Sequence, residues 1–387
     1  MPSFLNWSDF GMSTAAMNDM SLLGARSRWI EAEEVFQTNI AFLSVVAGIS
    51  FLAFSVVIAI LPEPWLPQVA GGAKPVLILL AAYVAIGILT NGLAAGYRGQ
   101  QKYARWLNLN NGVRSADILI TTILLVARMP EFNIVTGLLL NKIFWLGIIS
   151  YDFARNSPHI RIGFSKARRR VLSQLWKPAI GNMCFPIGQS LGIQAATVAV
   201  GYALNPAAVA IYAIARTYGR ILLQLVSTMN VVAWPEFSYA LGSNDLELAR
   251  ALYRRLQKAT GIMILAGMMV MWPLGPWIIA HWIHDRIQVG YGLVGAHLML
   301  VALSLAWNSS HVVLLSVNHV VELGFRYIAS TGVALGAMVF VLHWRDLTAA
   351  TLALGIADVY MLSYARPVCR RILSYGIASG CAMVINA

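Results

Sequence analysis

Long apolar stretches alternate with short polar or basic turns along the whole chain. A helix needs about 20 mostly apolar residues in a row to cross a membrane. We predict ten membrane spans, at residues 40–61, 75–97, 107–127, 132–152, 179–201, 207–233, 259–280, 290–315, 325–342 and 347–364. Tryptophans lie near several span ends, where such rings anchor helices at the membrane interface. The pattern predicts an all-α polytopic membrane protein with about ten transmembrane helices.

The composition of the chain agrees with a membrane protein. Hydrophobic residues make up 58% of the 387 positions and charged residues 11%, against about 25% charged residues in a soluble domain. The cysteines Cys184, Cys369 and Cys381 form no CxxC pair, so we expect packing residues and neither a disulfide framework nor a zinc site. The N-terminus also lacks the basic start and apolar core of a secretory signal.

The basic residues predict the orientation of the spans. With the N-terminal segment on one side, that side carries 20 of the 28 Lys and Arg residues, and the other side carries Lys74, Arg128, Arg286 and Arg345. Cytoplasmic loops of membrane proteins are enriched in Lys and Arg. We therefore expect a multi-pass protein of the cytoplasmic (inner) membrane with both termini in the cytoplasm. This asymmetry also accounts for the net charge of +12 without a nucleic-acid partner.

The span pattern repeats at an interval of about 219 residues. Shifted by that interval, four consecutive spans fall on four later ones, which predicts a duplication into two pseudo-symmetric lobes. Spans 179–201 and 207–233 would have their counterparts upstream of residue 1. We expect a first lobe that lacks two helices, through truncation or a mis-set start codon, with a genuine ten-span protein as the alternative.

The repeat divides the chain into five predicted parts. They are a cytoplasmic amphipathic segment with the remnant of a preceding helix (1–38), an incomplete four-span N-terminal lobe (39–152), a basic cytoplasmic linker held near anionic lipid (153–178), a six-span C-terminal lobe (179–364) and a C-terminal tail (365–387).

Four short segments resemble a known family of exporters. They are Asp9–Ala16 (DFGMSTAA), Gly96–Gln100 (GYRGQ), Ala210–Arg216 (AIYAIAR), and Trp234–Ser238 (WPEFS) with the following Gly242–Ala249. In order and spacing they are similar to the polysaccharide-transporter branch of the multidrug/oligosaccharidyl-lipid/polysaccharide (MOP) exporter superfamily, the O-antigen-type flippases. The chain matches helices three to twelve of that family's twelve.

The resemblance implies a MATE/MOP-like bundle of two lobes that opens alternately to each side of the membrane. It implies as passenger a polyprenyl-diphosphate-linked oligosaccharide for polysaccharide or lipopolysaccharide biosynthesis. The partners would then be this lipid-linked oligosaccharide, membrane lipids, and the polysaccharide polymerase and export machinery. The chain departs from many relatives between Gly192 and Thr197 (GIQAAT), where it has no carboxylate.

Six ionisable residues lie inside predicted spans, where insertion of a charge costs at least ~2.5–3.5 kcal/mol. We interpret four as substrate-binding cations: Arg216, Arg220, Lys142 and Arg114. The other two, Asp117 and Asp358, are candidate coupling or charge-pair acids. Candidate polar cavity linings are Gln224 and Ser227, which continue the Arg216 and Arg220 stripe at helical spacing, together with Gln194 and Asn182.

If all six charges face one cavity, its net positive charge suits a diphosphate, because Arg and Lys donate charge-assisted hydrogen bonds to phosphate. The structural alternative is that Arg114 and Asp117 neutralise each other and that Asp358 pairs with a basic residue of a neighbouring helix.

The chain has no HExxH, Walker-type or Gly-x-Ser-x-Gly motif, so we predict neither an enzyme nor a cofactor or metal site. The leading hypothesis is a flippase of lipid-linked oligosaccharides. The alternatives are a multidrug-type exporter, which would favour an acidic cavity, a membrane glycosyltransferase or polymerase, which would need a large polar loop, and an inactive truncated remnant.

The predicted orientation can be tested with single cysteines in a variant that lacks the native ones. A cysteine introduced by Arg345→Cys should react with a membrane-impermeant maleimide in intact cells. One introduced by Arg255→Cys should react only after permeabilisation, because the reagent does not cross the bilayer. The reverse labelling pattern would contradict the orientation.

Overall fold

The computed structural model describes residues 10–66, 72–284 and 288–385, with side chains as far as residue 376. These residues form α-helices with one short 3-10 helix and no strand, which confirms the all-α prediction. The α-helices are α1 (Met12–Ala25), α2 (Trp29–Ile60), α3 (Ala73–Gly99), α4 (Tyr103–Val126), α5 (Glu131–Asn156), α6 (Arg169–Ala203), α7 (Pro206–Gly242), α8 (Leu246–Trp282), α9 (Tyr291–Ser316), α10 (Val321–Leu342), α11 (Leu347–Ala353) and α12 (Gly355–Ile385).

Nine helical segments within the described residues are long and apolar enough to cross a membrane. They cover every predicted span except 107–127. That span lies in α4, where asparagines, Arg114 and Asp117 lower the hydropathy. An intact α-helix still satisfies its backbone hydrogen bonds internally, so α4 can pass through lipid if its polar face is covered.

Several helices are longer than the apolar pattern predicts. Helices α2 and α8 begin at Trp29 and Leu246, well before the predicted spans that start at residues 40 and 259. At the other end, helix α12 continues past residue 364, where we predicted a tail, to Gly376, which has a left-handed φ of 79°. Arg250 Nε donates to the carbonyl of Leu373 at 2.8 Å, and this contact satisfies a backbone group near that break.

The chain divides into two compact units, Met1–Ala179 (unit 1) and Ile180–Ala387 (unit 2). In unit 1, Phe36 of α2 stacks on Phe153 of α5 at 5.1 Å between ring centroids. A Cβ on Gly96 would meet both rings at 2.5–2.9 Å, so α3 approaches them closely only because this residue is glycine. The GYRGQ segment is therefore part of the packing of this unit.

In unit 2 the largest apolar core is formed by α6, α7, α8, α9, α10 and α12 around Phe237, Tyr253, Leu314 and Cys369. Cys184 and Cys369 are both buried and form no disulfide. This burial agrees with the packing role expected for them. The third cysteine, Cys381, lies outside the residues whose side chains are described.

The two units repeat the same sequence of turns. Left-handed residues end corresponding helices in pairs, and each pair is separated by 217 residues: Ser27 and Asn244, Gln101 and Asn318, Arg128 and Arg345. The backbone hydrogen bonds of these turns match as well, for example Lys102 N to Tyr97 O and His319 N to Leu314 O. The structure thus supports the predicted duplication and shortens its interval from 219 to 217.

A buried polar face of α2 holds the segment between α5 and α6, which is irregular only over residues 157–168. Glu33 Oε2 lies 2.5 Å from Lys166 Nζ, and Gln37 Oε1 accepts from the Lys166 N–H at 2.7 Å. Gln37 also donates to the Arg161 carbonyl, and the Thr38 hydroxyl accepts from the Arg168 N–H. Protein contacts therefore fix this segment to unit 1.

These contacts predict a local effect on protease sensitivity. Replacing Glu33 by Ala removes a charge-assisted hydrogen bond of about 1.5–3 kcal/mol. Local opening of residues 157–168, and with it tryptic cleavage after Arg161 or Lys166, should rise about tenfold or more. Glu31→Ala is the matched control, because Glu31 pairs only with the exposed Arg28. Equal cleavage in both variants would contradict this role of Glu33.

Candidate functional site

The six charges predicted inside spans form two groups, one within each unit. Arg114, Asp117 and Lys142 lie together in unit 1, and Arg216, Arg220 and Asp358 lie in unit 2.

Asp117 is the centre of the group in unit 1. The Tyr83 hydroxyl of α3 donates to its Oδ2 at 2.7 Å, and the Asn141 amide of α5 donates to its Oδ1 at 2.8 Å. The Asp117 side chain is buried, as are Tyr83 and Asn141. Because charge at this depth is costly, donors to both oxygens stabilise the carboxylate. Three helices are joined at this point.

The two cations of this group lie around the Asp117 carboxylate without forming an ion pair with it. Lys142 Nζ stands 5.0 Å from the centre of the Tyr83 ring, in cation–π geometry. Arg114 is exposed on α4, and the ion pairs among the described residues do not include an Arg114–Asp117 contact. Arg114 and Asp117 therefore do not neutralise each other as an ion pair. The Asp117 carboxylate is hydrogen-bonded by Tyr83 and Asn141 instead.

Unit 2 contains a cavity of about 230 Å³. Its walls come from five helices, and its polar lining includes Gln189 of α6, Arg216 and Arg220 of α7, His297 of α9, Thr331 of α10 and Asp358 of α12. Helix α6 contributes Gly188 and Gly192 to the wall of the cavity. A Cβ on Gly188 would meet the Tyr327 ring at 2.7 Å, so α6 and α10 approach closely there because this residue is glycine. Three of the six predicted charges thus line a single cavity.

Arg216 is fixed at one side of this cavity. Its Nη1 donates to the Thr197 hydroxyl at 2.8 Å and to the Ile193 carbonyl at 3.2 Å, both on α6. Its guanidinium lies over the Tyr212 ring, 5.5 Å from the centroid. Arg220, one turn further along α7, has no hydrogen bond or ion pair within the described part of the chain. One guanidinium is therefore positioned in advance and the other is free to meet a ligand.

Asp358 lines the same cavity and accepts a hydrogen bond from the Trp307 indole N–H at 2.8 Å. Ser304, one turn before Trp307 on α9, lines the cavity as well. Within residues 10–66, 72–284 and 288–376, no Lys, Arg or His forms an ion pair with Asp358. The expected basic partner on a neighbouring helix is thus not found there.

His297 is a lining residue that the sequence analysis missed. Its side chain is 4% exposed, and its Nδ1 lies 3.0 Å from the Leu293 carbonyl. Its Nε2 has no hydrogen-bond partner among the described residues, and the ring packs edge-on against Tyr212 at 5.0 Å. A histidine in the middle of an apolar span was the available signal. Tyr83 and Asn141 were also missed, because neutral polar residues are common in spans.

The four predicted polar linings do not reach this cavity. Gln224 and Gln194 are exposed, and the Ser227 hydroxyl donates to the Gln224 carbonyl of its own helix at 3.1 Å. Asn182 is buried elsewhere in α6, with neither amide atom hydrogen-bonded to a described residue. The polar stripe of α7 therefore faces the cavity only over its first two members.

The cavity of unit 2 and the polar group of unit 1 occupy equivalent places in the duplicated scaffold. At the interval of 217 residues, Tyr83, Arg114, Asp117 and Asn141 correspond to Leu300, Thr331, Ala334 and Asp358. All four counterparts line the cavity. Where unit 1 has the phenol of Tyr83, the exposed guanidinium of Arg114 and the carboxylate of Asp117, unit 2 has three smaller, uncharged side chains. The substitution leaves open space beside Asp358.

Solved structures with the same fold are transporters. A MATE transporter in its bent conformation aligns with a TM-score of 0.81 and 14% identity, over 95% of this chain and 84% of that one. An outward-facing MATE family transporter gives 0.79 and 13%, over 97% and 86%. A MOP superfamily transporter from Pyrococcus furiosus gives 0.77 and 13%, over 96% and 86%. No family model matches the sequence, and no curated protein matches it.

The chain therefore has the fold of the MATE transporters of the MOP superfamily, and the predicted fold class is confirmed. At identities of 13–14% the likeness establishes the fold alone. Its function has to be argued from the chemistry of its own residues.

The contacts of Asp117 predict an effect on stability. Tyr83→Phe removes one donor from a buried carboxylate, a loss of about 1.5–3 kcal/mol, so the midpoint of thermal unfolding in detergent should fall by a few degrees. Tyr151→Phe on α5 is the matched control, because that phenol is exposed. Equal midpoints for the two variants would show that the Tyr83 hydrogen bond does not stabilise the fold.

Proposed function

We propose that the protein is a flippase that moves a polyprenyl-diphosphate-linked oligosaccharide across the cytoplasmic membrane by alternating access. The fold supports transport, since the similar solved structures are transporters. The observation that carries the finer proposal is the pair Arg216 and Arg220, which line a cavity of unit 2. Two guanidiniums one helical turn apart match the oxygen atoms of a diphosphate better than those of a neutral or cationic passenger.

The preorganisation of Arg216 supports this role. Its contacts with Thr197, Ile193 and Tyr212 use part of the guanidinium and hold its plane in position. A fixed cation loses little side-chain entropy when a ligand binds. Arg220, which has no such contacts, can then close on the second phosphate. The proposed partners are the lipid-linked oligosaccharide, membrane lipids, and the polymerase and export machinery of a surface polysaccharide.

We assign Lys142, Arg114 and Asp117 a different part in the cycle. Asp117 accepts hydrogen bonds from two other helices of its unit. Protonation of the carboxylate, or binding of a cation to it, would weaken those bonds and change how α3, α4 and α5 pack. Asp117 is thus the candidate coupling acid, with Lys142 and Arg114 as nearby charges of the same group.

A multidrug-type exporter of the same superfamily is the second candidate. The observation in its favour is Asp358, a carboxylate in the unit 2 cavity that forms no ion pair with a described residue and could bind a cationic drug. The polarity of a pocket is informative in this superfamily: for the Pyrococcus furiosus transporter, reverse polarity of the binding pocket suggests a different function. The two guanidiniums in the present cavity favour an anionic passenger.

The flippase proposal can be tested in proteoliposomes with a fluorescent polyprenyl-diphosphate sugar. Replacing Arg216 and Arg220 by Gln removes two charge-assisted contacts of about 1.5–3 kcal/mol each. The rate of translocation should therefore fall at least about tenfold for each lost arginine. Arg254→Gln with Arg255→Gln is the matched control, because both are exposed near the start of α8, outside the cavity.

Unchanged translocation by the cavity variant would contradict the proposal. If the wild type instead exports a cationic dye, and if Asp358→Asn rather than the arginine variant abolishes that export, the multidrug candidate replaces the flippase.

A further inference from the structure

Charged side chains of both signs line the cavity of unit 2 without forming an ion pair with one another. Arg216 and Arg220 line it from α7 and Asp358 lines it from α12, yet no ion pair joins them. In a medium of low dielectric constant, opposite charges in one cavity attract strongly, and leaving them apart is costly. An arrangement that keeps them separated is suited to a ligand that places its own opposite charges between them.

The groups that face the cavity divide into donors and acceptors. On the donor side, the guanidinium of Arg220 has no partner among the described residues, and that of Arg216 uses Nη1 for its contacts with α6. Both present N–H groups and positive charge, which recognise a phosphate or a carboxylate.

The acceptor side consists of His297 and Asp358. A backbone carbonyl can only accept, so His297 must donate its Nδ1–H to Leu293 O. In the neutral ring the other nitrogen, Nε2, is then an acceptor. This buried atom has no partner in the described chain, and its residue lines the cavity. Asp358 accepts a hydrogen bond from the Trp307 indole, but a carboxylate can accept about four. Both residues can therefore accept from an ammonium or hydroxyl group.

The size of the cavity limits the ligand to a headgroup. Pockets for whole drug-sized ligands measure about 300–1,000 Å³, whereas this one is about 230 Å³. It has room for a phosphate and one small neighbouring group.

The duplication shows how the space arises. The equivalent place in unit 1 holds Tyr83, Asp117 and Asn141, with Arg114 exposed on α4, and there the Asp117 carboxylate accepts hydrogen bonds from two protein donors. In unit 2 the counterparts of Tyr83, Arg114 and Asp117 are Leu300, Thr331 and Ala334, which supply no charge and less hydrogen bonding. Position 358 therefore carries a carboxylate where its counterpart Asn141 is neutral, and the phenol and guanidinium of unit 1 are replaced by Leu300 and Thr331.

We infer that this cavity binds a zwitterionic headgroup, with a phosphate against Arg216 and Arg220 and a protonated amine against Asp358 and His297. The inference rests on the proposed function and narrows its substrate class to phosphate-linked groups that carry a free amine. The same chemistry occurs in an amino sugar next to the phosphate and in the phosphoethanolamine headgroup of a membrane lipid.

The test is a binding measurement on the purified full chain, separate from any transport assay. The probes are two matched pairs, glucosamine 1-phosphate with its N-acetyl form and phosphoethanolamine with its N-acetyl form, titrated by calorimetry. Acetylation removes the positive charge and leaves the phosphate. The wild type should bind at least one amine form about tenfold or more tightly than its acetylated counterpart, and the pair that shows the difference identifies the source of the headgroup.

Two cavity variants and one control separate the contributions. Asp358→Asn should abolish the preference for the amine while phosphate binding persists, whereas Asp358→Glu should retain part of the preference. Arg216→Gln with Arg220→Gln should weaken binding of all four probes. Glu247→Gln, which changes an exposed carboxylate at the start of α8, should leave the preference intact and so controls for net charge.

Equal affinity of the wild type for amine and acetylated probes would overturn the inference, and so would a preference that survives in Asp358→Asn. These outcomes are distinguishable from failure of the proposed function. If the proposed flippase function is wrong, the lipid diphosphate is not translocated, whatever the binding measurement with the headgroup probes shows. If only the inference is wrong, the lipid diphosphate is translocated and its free amine makes no difference.

Discussion

A charged side chain at bilayer depth must be stabilised by other groups, and this constraint explains most of what is distinctive in the two units. The backbone satisfies itself by forming helices, since no water is available to hydrogen-bond exposed peptide groups. The side chains have no such general solution. In a chain with 11% charged residues, the few ionisable groups within spans therefore form polar groups that depend on several helices at once.

The two units meet this constraint in opposite ways at equivalent positions. In unit 1 the Asp117 carboxylate is surrounded by a phenol, an amide and nearby cations, so the polar group is closed and stabilises the packing of three helices. In unit 2 the Asp358 carboxylate and two guanidiniums line an open cavity without pairing. A duplicated scaffold has thus kept the position of a polar site and changed how completely the protein itself fills it.

This division fits the proposed transport cycle. A site satisfied by protein groups is suited to couple an ion or proton to helix packing, whereas a site left partly unsatisfied is suited to bind a passenger. The structural likeness to MATE transporters supplies the fold in which such a cycle operates. The chemistry of Arg216, Arg220, His297 and Asp358 supplies the hypothesis about what the fold carries.

Much of the fold followed from the sequence alone. Runs of apolar residues fixed the class and nearly all of the spans, because the free energy of placing a helix in lipid depends mainly on local composition. The duplication was also visible in the span pattern, although turns such as those at Ser27 and Asn244 were needed to set its interval. The same local argument misjudged helix ends, as at α12, where a tertiary contact from Arg250 helps to determine the boundary.

The sites were only partly predictable, for a physical reason. The sequence identified Arg216, Arg220, Asp117 and Asp358 because an intramembrane charge is conspicuous in any apolar run. Whether two such residues share a cavity depends on which helices pack together and on the rotation of each helix, and neither is encoded locally. Tertiary structure alone therefore separated the six charges into two groups, gave Asp117 its partners Tyr83 and Asn141, and brought the buried acceptor His297 to the same cavity as Asp358.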